Sequence, residues 1–200
     1  MFHLFESLDI KILIWINQTL SNFVFDLFMP LITNEDNWIL PFLFLFIYLG
    51  MMNGKRGRIA LVIMVLAIGI TDSISTFVLK PYFARIRPSH DLVDTINLLV
   101  HRGGKWSMPS NHSANMFALA VVISYFYEKY KYPIFVLAGF VAFSRVYVGV
   151  HYPADVIVGG LVGYGIAWTT LTLWVILKMR ELKRGKMWVR YEGEPPKNIF

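Results

Sequence analysis

The 200-residue sequence contains no cysteine. That excludes a disulfide framework, a thiol nucleophile and a thiolate metal site. Charge is scarce too. Asp, Glu, Lys and Arg supply 16% of the chain, whereas 56% is hydrophobic and 16% aromatic. A typical soluble domain carries about a quarter charged residues. So little charge with such long apolar runs implies a one-domain integral membrane protein. Internal repeats, low-complexity segments and a carboxylate cluster fit for two magnesium ions are all missing. Residues 1–7 lack a basic region followed by a small-residue cleavage site, so no removable signal peptide is expected.

The apolar segments arrange themselves as an all-α bundle. Residues 8–30 are apolar at helical spacing but carry Asp9, Lys11, Asn17, Gln18, Asn22 and Asp26. They read as one or two amphipathic helices at the membrane interface, or equally as a short helix packed on the bundle. Residues 38–52 hold no charge and five aromatic side chains. With 59–79, 112–127, 134–150 and 156–177 they make about five transmembrane helices, so the membrane core runs over 38–177. Asp72 interrupts the second span and is expected to face the bundle, paired with a hydroxyl or a cation. Gly159 and Gly163 in the fifth span are spaced for close helix packing. The tail, 178–200, is basic and expected at the surface.

The net charge of +6 could suggest a nucleic-acid partner, but its distribution argues for membrane topology. Five spans place 53–58, 128–133 and the tail on one side, with twelve Lys and Arg against four Glu. The other side keeps seven Lys and Arg against nine Asp and Glu. Cytoplasmic segments favour Lys and Arg, so the C-terminus is expected inside and the 80–111 connector outside.

Three polar clusters fall at span ends on that outward side: residues 80–88, 109–112 and 144–155. Lys80, Arg87 and Arg145 concentrate more positive charge than Asp155 can neutralise, and charges at membrane depth mark function by default. A phosphate group would balance them. The helix beginning near His112 follows Pro-Ser-Asn and would present N–H groups and a positive dipole end to the anion. Ser110 would cap that helix, bond the anion, or both. His3, His90 and His101 read as structural or solvated. His112 and His151 sit beside the cations instead. Asp155 follows His151 by four positions, one helical turn, and suits it as orienting carboxylate. Two such histidines could divide phosphoryl transfer: His151 as nucleophile, His112 as acid–base group. His101, Arg102 and Lys105 would contact a head group, or simply meet anionic lipid as surface charges.

These clusters resemble the three motifs of the type 2 phosphatidic acid phosphatase family, whose site is related to that of the vanadium haloperoxidases. Residues 80–88 fit K-x6-R-P, and 144–155 fit S-R-x5-H-x3-D. Residues 109–112 fit P-S-G-H, except that Asn111 replaces the glycine. The resemblance implies a helical membrane bundle with an interfacial N-terminal helix. It implies His151 as nucleophile, Asp155 as its partner and His112 as the acid for the leaving group. Lys80, Arg87, Ser110, Arg145 and the N–H of Asn111 would bind phosphate, with no metal or other cofactor. The expected partner is a membrane lipid phosphate: undecaprenyl diphosphate, phosphatidylglycerophosphate or lipid A 1-phosphate, met on the outer face of a bacterial inner membrane. Asparagine keeps the N–H and tolerates left-handed backbone angles, so its presence bears on substrate range and rate more than on the chemistry. The competing readings are a non-catalytic protein with a vestigial site, a lipid carrier and a soluble haloperoxidase; the five spans argue against the last.

Overall fold

The computed structural model describes residues 2–191, with side chains from Glu6 onward. His3 and residues 192–200 of the expected tail therefore lie outside the described residues or side chains. Among the described residues the secondary structure is helical apart from one isolated bridge, between Ile86 and Trp106.

The chain begins with α1 (Phe2–Ile14), which runs on through a widened turn at Trp15–Thr19. It then bends by 117° into α2 (Phe23–Thr33). Asn22 sets the bend: it is extended and its side chain caps α2 by accepting from the Phe25 N–H at 3.0 Å. Phe23, Val24, Leu27, Phe28 and Leu31 are exposed, so α2 offers its apolar surface outward. The expected interfacial segment is thus a helical hairpin.

Next come α3 (Asp36–Ile47), extended by a widened turn to Met52, and α4 (Gly54–Ile74), extended to Leu79 and then α5 (Lys80–Phe83). The connector holds α6 (Pro88–Asp91). Three further helices follow: α7 (Asn111–Phe126), α8 (Lys131–Tyr147) and α9 (Pro153–Lys183).

Helix α7 is the centre. From Ser113 to Phe126 nearly every residue is buried, and α4, α8 and α9 pack around it. A helix apolar on all sides needs such a sheath. Its crossing with α9 is set by glycines. A Cβ at Gly163 would come within 1.9 Å of the Ala114 carbonyl, and one at Gly159 within 2.5 Å of the Ser110 carbonyl. The close packing expected of this pair is present.

Two helices, Gly54–Phe83 and Pro153–Lys183, are long and apolar enough to cross a bilayer. The bent α1–α2 pair adds a third only as one broken span. The helices at 36–52, 111–126 and 131–147 are shorter than the roughly 20 residues a straight crossing needs. The tail also differs from expectation. Helix α9 continues to Lys183, and Val189 turns back into the core beside the Trp174–Trp188 and Phe126–Tyr191 ring contacts.

Gly163→Val is expected to remove about 1–3 kcal/mol of stability, or the folded protein altogether, because a backbone carbonyl has nowhere to go. Gly165→Ala meets nothing within 4 Å and should leave stability equal or slightly higher. Thermal unfolding in detergent compares the two.

Candidate active site

The connector begins where Ala84 adopts a left-handed conformation (φ 44°) and turns the chain off α5. Residues 85–87 then lie antiparallel to 105–107. The Arg87 N–H donates to the Lys105 carbonyl at 3.1 Å, and the Ser107 N–H donates to the Arg85 carbonyl at 2.8 Å. This short pairing carries the 80–88 cluster to the start of α7, where the 109–112 cluster sits. Gly103 is needed here twice over. Its φ is 69°, and a Cβ would approach Arg87 Nη1 to 2.5 Å. The Arg87 Nε–H is fixed by the Trp106 carbonyl at 3.1 Å.

The 144–155 cluster folds back on itself at the end of α8. The Arg145 carbonyl accepts from the N–H groups of Val150 and His151, each at 3.2 Å. Gly149, at φ 81°, makes the reversal possible beside Ile96 and Asn97. The spacing of five residues between Arg145 and His151 is therefore one closed turn, which returns the imidazole to the arginine.

Lys80, Arg87, His112, Arg145 and His151 line one cavity of about 1210 Å³. Its wall continues past Phe42, Phe46, Ile68 and Met116 into the apolar part of the bundle. These five converge from α5, the connector, α7, α8 and the turn before α9, whereas Ser110 and Asp155 are not among the lining residues. His101 also lines this cavity, whereas Lys105 lies over the Trp106 ring at 4.9 Å.

Several site atoms are buried without a hydrogen-bond partner. They include Ser110 Oγ, Arg145 Nε, His112 Nε2 and His151 Nδ1. Buried polar atoms are costly unless something answers them, so a polar ligand here would find groups to meet. Ser110 begins α7, yet its hydroxyl makes no capping bond. Of its two expected roles, the anion contact is the one the geometry leaves open.

His151 is 1% exposed, and its Nδ1 stands 3.5 Å from Asp155 Oδ2, within ion-pair reach but without hydrogen-bond geometry. Burial, followed by the nearby Arg87, Arg145 and Lys80 charges, holds the His151 pKa well below the ordinary imidazole value. The ring is therefore a neutral base at pH 7. His112 Nε2 lies 3.3 Å from Glu35 Oε1, a mostly exposed carboxylate at the cavity rim.

Four supporting residues carry no signal of their role in the motifs. Thr33, at the end of α2, accepts from Arg145 Nη1 through its hydroxyl at 2.6 Å. Glu35 is the second. Arg85 and Asp9 are the others: Arg85 donates to Asp155 Oδ1 at 2.9 Å and to Asp9 Oδ2 at 2.6 Å. Burial opposes the Arg85 charge, but Asp155 and Asp9 outweigh it and leave its pKa raised. Of the four, Arg85 alone has a sequence hint, since it stands inside the 80–88 cluster.

Asp72 departs from expectation. It faces the bundle and the cavity, but its partners are amides: Asn111 Nδ2 at 2.8 Å and Asn115 Nδ2 at 3.1 Å. Asn111 also donates to Thr76 Oγ1 at 2.7 Å. The asparagine side chain is thereby tied to α4 and its extension, and the backbone at Asn111 remains the first residue of α7.

An all-helical membrane-type bundle with this cavity fits one class of protein, and the comparisons agree. The sequence model of the PAP2 superfamily matches residues 57–179, and the chain belongs to that superfamily. It is 32% identical over 172 residues to a lipid A 4'-phosphatase of Bacteroides thetaiotaomicron, covering 82% of this chain and 75% of that protein. To a lipid A 4'-phosphatase of Porphyromonas gingivalis it is 34% identical over 144 residues, 69% of this chain. The match spans 61% of the length of that relative. Among solved structures, LpxE of Aquifex aeolicus superposes with a TM-score of 0.68 at 27% identity, over 82% of this chain and 95% of that one.

Thr33→Val should free the Arg145 guanidinium and raise KM about tenfold, the scale of one lost hydrogen bond to a charged group. Thr33→Ser should restore it; steady-state kinetics on a phosphorylated lipid read both. Asn111→Gly keeps the backbone N–H but loses the tie to Asp72. It should lower the unfolding temperature while changing kcat less than a few-fold.

Proposed function

We propose that this chain is a metal-independent phosphatase of membrane lipid phosphates working through a phosphohistidine. The observation that carries the reading is the single cavity lined by Lys80, Arg87, Arg145, His112 and His151. Three cations match the three equatorial oxygens on which charge spreads during phosphoryl transfer. Ser110 Oγ and the N–H of Asn111, at the positive end of α7, add donors.

The mechanism follows from the two histidines. His151 turns Nδ1 toward Asp155, so Nε2 attacks phosphorus as the phosphorus–oxygen bond to the lipid breaks. His112, protonated, gives its proton to the departing oxygen. The neutral His112 then takes a proton from water. That water's oxygen attacks phosphorus, the phosphorus–nitrogen bond breaks, and inorganic phosphate leaves with His151 restored. Asp155 stabilises the charge that His151 carries in between. Glu35 lies where it would favour the protonated form of His112.

The substrate is a phosphorylated membrane lipid whose tail lies along the apolar wall of the cavity. Undecaprenyl diphosphate, phosphatidylglycerophosphate and a lipid A phosphate are the candidates. Similarity to two proteins named lipid A 4'-phosphatases supports ranking a phosphorylated glycolipid first. The topology that goes with this reading has five crossings, the shorter helices included. The site opens to the outer face of an inner membrane and the C-terminus lies in the cytoplasm. The runner-up is a non-catalytic lipid-phosphate binding or transport protein.

Purified protein in detergent should release phosphate from at least one of the three lipids with EDTA present. His151→Ala should lose at least about a thousandfold in kcat, as expected when a covalent nucleophile is removed. Binding without release, in folded wild-type protein, would favour the runner-up.

A further inference from the structure

Arg85 lies within the 80–88 cluster but is not among the residues lining the cavity. Its two terminal nitrogens are taken by carboxylates, Asp155 at 2.9 Å and Asp9 at 2.6 Å. Its guanidinium also stacks 3.9 Å over the Tyr152 ring. It is therefore not a further phosphate clamp. Asp9 is fully engaged too. It is buried in α1, and its Oδ1 accepts from the Ala154 N–H at 2.9 Å. Ala154 stands in the first turn of α9, whose N–H groups have no partner within the helix. Asp9 thus caps α9 from another helix, one residue before Asp155.

We infer that Arg85 and Asp9 are positioning residues for Asp155, and that α1 is thereby a working part of the active site. Asp155 has no exposed surface. One of its oxygens is met by Arg85, the other by the Tyr152 N–H at 2.8 Å. A buried carboxylate stays ionised only when paired in this way. Without Arg85 the proton would remain on Asp155 to higher pH, and the carboxylate could not support His151. Without Asp9, Arg85 would lose the contact that fixes its second nitrogen, and α9 would lose a cap. The N-terminal hairpin is held in register for this task by Asn17. That side chain is buried and bonds the Tyr147 carbonyl at 2.7 Å and both backbone groups of Asn97.

The inference rests on the phosphohistidine reading, and the experiment separates the two. Full-length wild type, Arg85→Ala, Arg85→Lys, Asp9→Ala, Asp9→Asn and His151→Ala are purified, and folding is checked by thermal unfolding. Phosphate release is then measured against pH and lipid concentration. Arg85→Ala should lose at least about tenfold in kcat with KM within about threefold, because neither partner touches phosphate. Its acid limb should move to higher pH. Arg85→Lys should recover part of both, and Asp9→Asn, which loosens the hold on Arg85, should lower kcat in the same way but less. The Lys and Asn variants keep size and shape and carry the test where an alanine variant does not fold. Folded Arg85 and Asp9 variants with wild-type kcat and an unmoved limb, beside an inactive His151→Ala, would overturn the inference alone. An active His151→Ala would overturn the mechanism beneath it.

Discussion

The structure depends on one buried negative charge. Asp155 sits at the start of α9 with no access to solvent, and water cannot compensate it. Each of its acceptors is met by a different part of the chain. Arg85 comes from the connector, and the Tyr152 N–H from the preceding turn. The backbone carbonyl of Asp155 accepts the Ser110 N–H at 3.0 Å, at the start of α7. The three clusters therefore meet at Asp155, through its carboxylate and its backbone carbonyl. That meeting brings the imidazole of His151 into one cavity with Lys80, Arg87 and Arg145.

Positive charge is the counterpart. Arg87, Arg145 and Lys80 line the same cavity, where like charges repel one another. Each arginine is held in place from behind by an oxygen outside the cavity or at its edge: the Trp106 carbonyl for Arg87 and Thr33 for Arg145. For an anion bound as proposed, the guanidinium groups are fixed in advance. The ordering cost is then met on folding rather than on binding, and preorganisation of this kind raises affinity and rate.

Much of this is legible in the sequence. The apolar runs encode the helices of the bundle, and the Gly159 and Gly163 spacing encodes the α7–α9 crossing. The motif spacings bring Lys80, Arg87, His112, Arg145, His151 and Asp155 together. These signals are local or depend on a fixed count of residues. The supporting layer is not legible, for a physical reason. Asp9 and Thr33 act on partners more than a hundred positions away, through a hairpin bent at Asn22. In the sequence an acid on an amphipathic stretch looks solvated, and a threonine at a helix end looks like a cap. Asp72 looks like the partner of a hydroxyl or a cation, yet it faces amides because Asn111 occupies the position of the family glycine. The number of crossings is weakly encoded too. A helix sheathed by others, as α7 is, keeps its apolar character whether or not it spans the full hydrocarbon depth.

The bend between α1 and α2 has a consequence for how this site is inherited. The superfamily signature begins at residue 57, yet the groups that hold the Arg85 and Arg145 guanidiniums lie at positions 9 and 33. The two arms of the hairpin behave like tongs, one gripping the start of α9 beside His151 and the other the Arg145 guanidinium. Any exchange of this N-terminal hairpin between relatives is then an exchange of the parts that position the pocket. Such chimeras should work only when the arms and what they grip are carried over together.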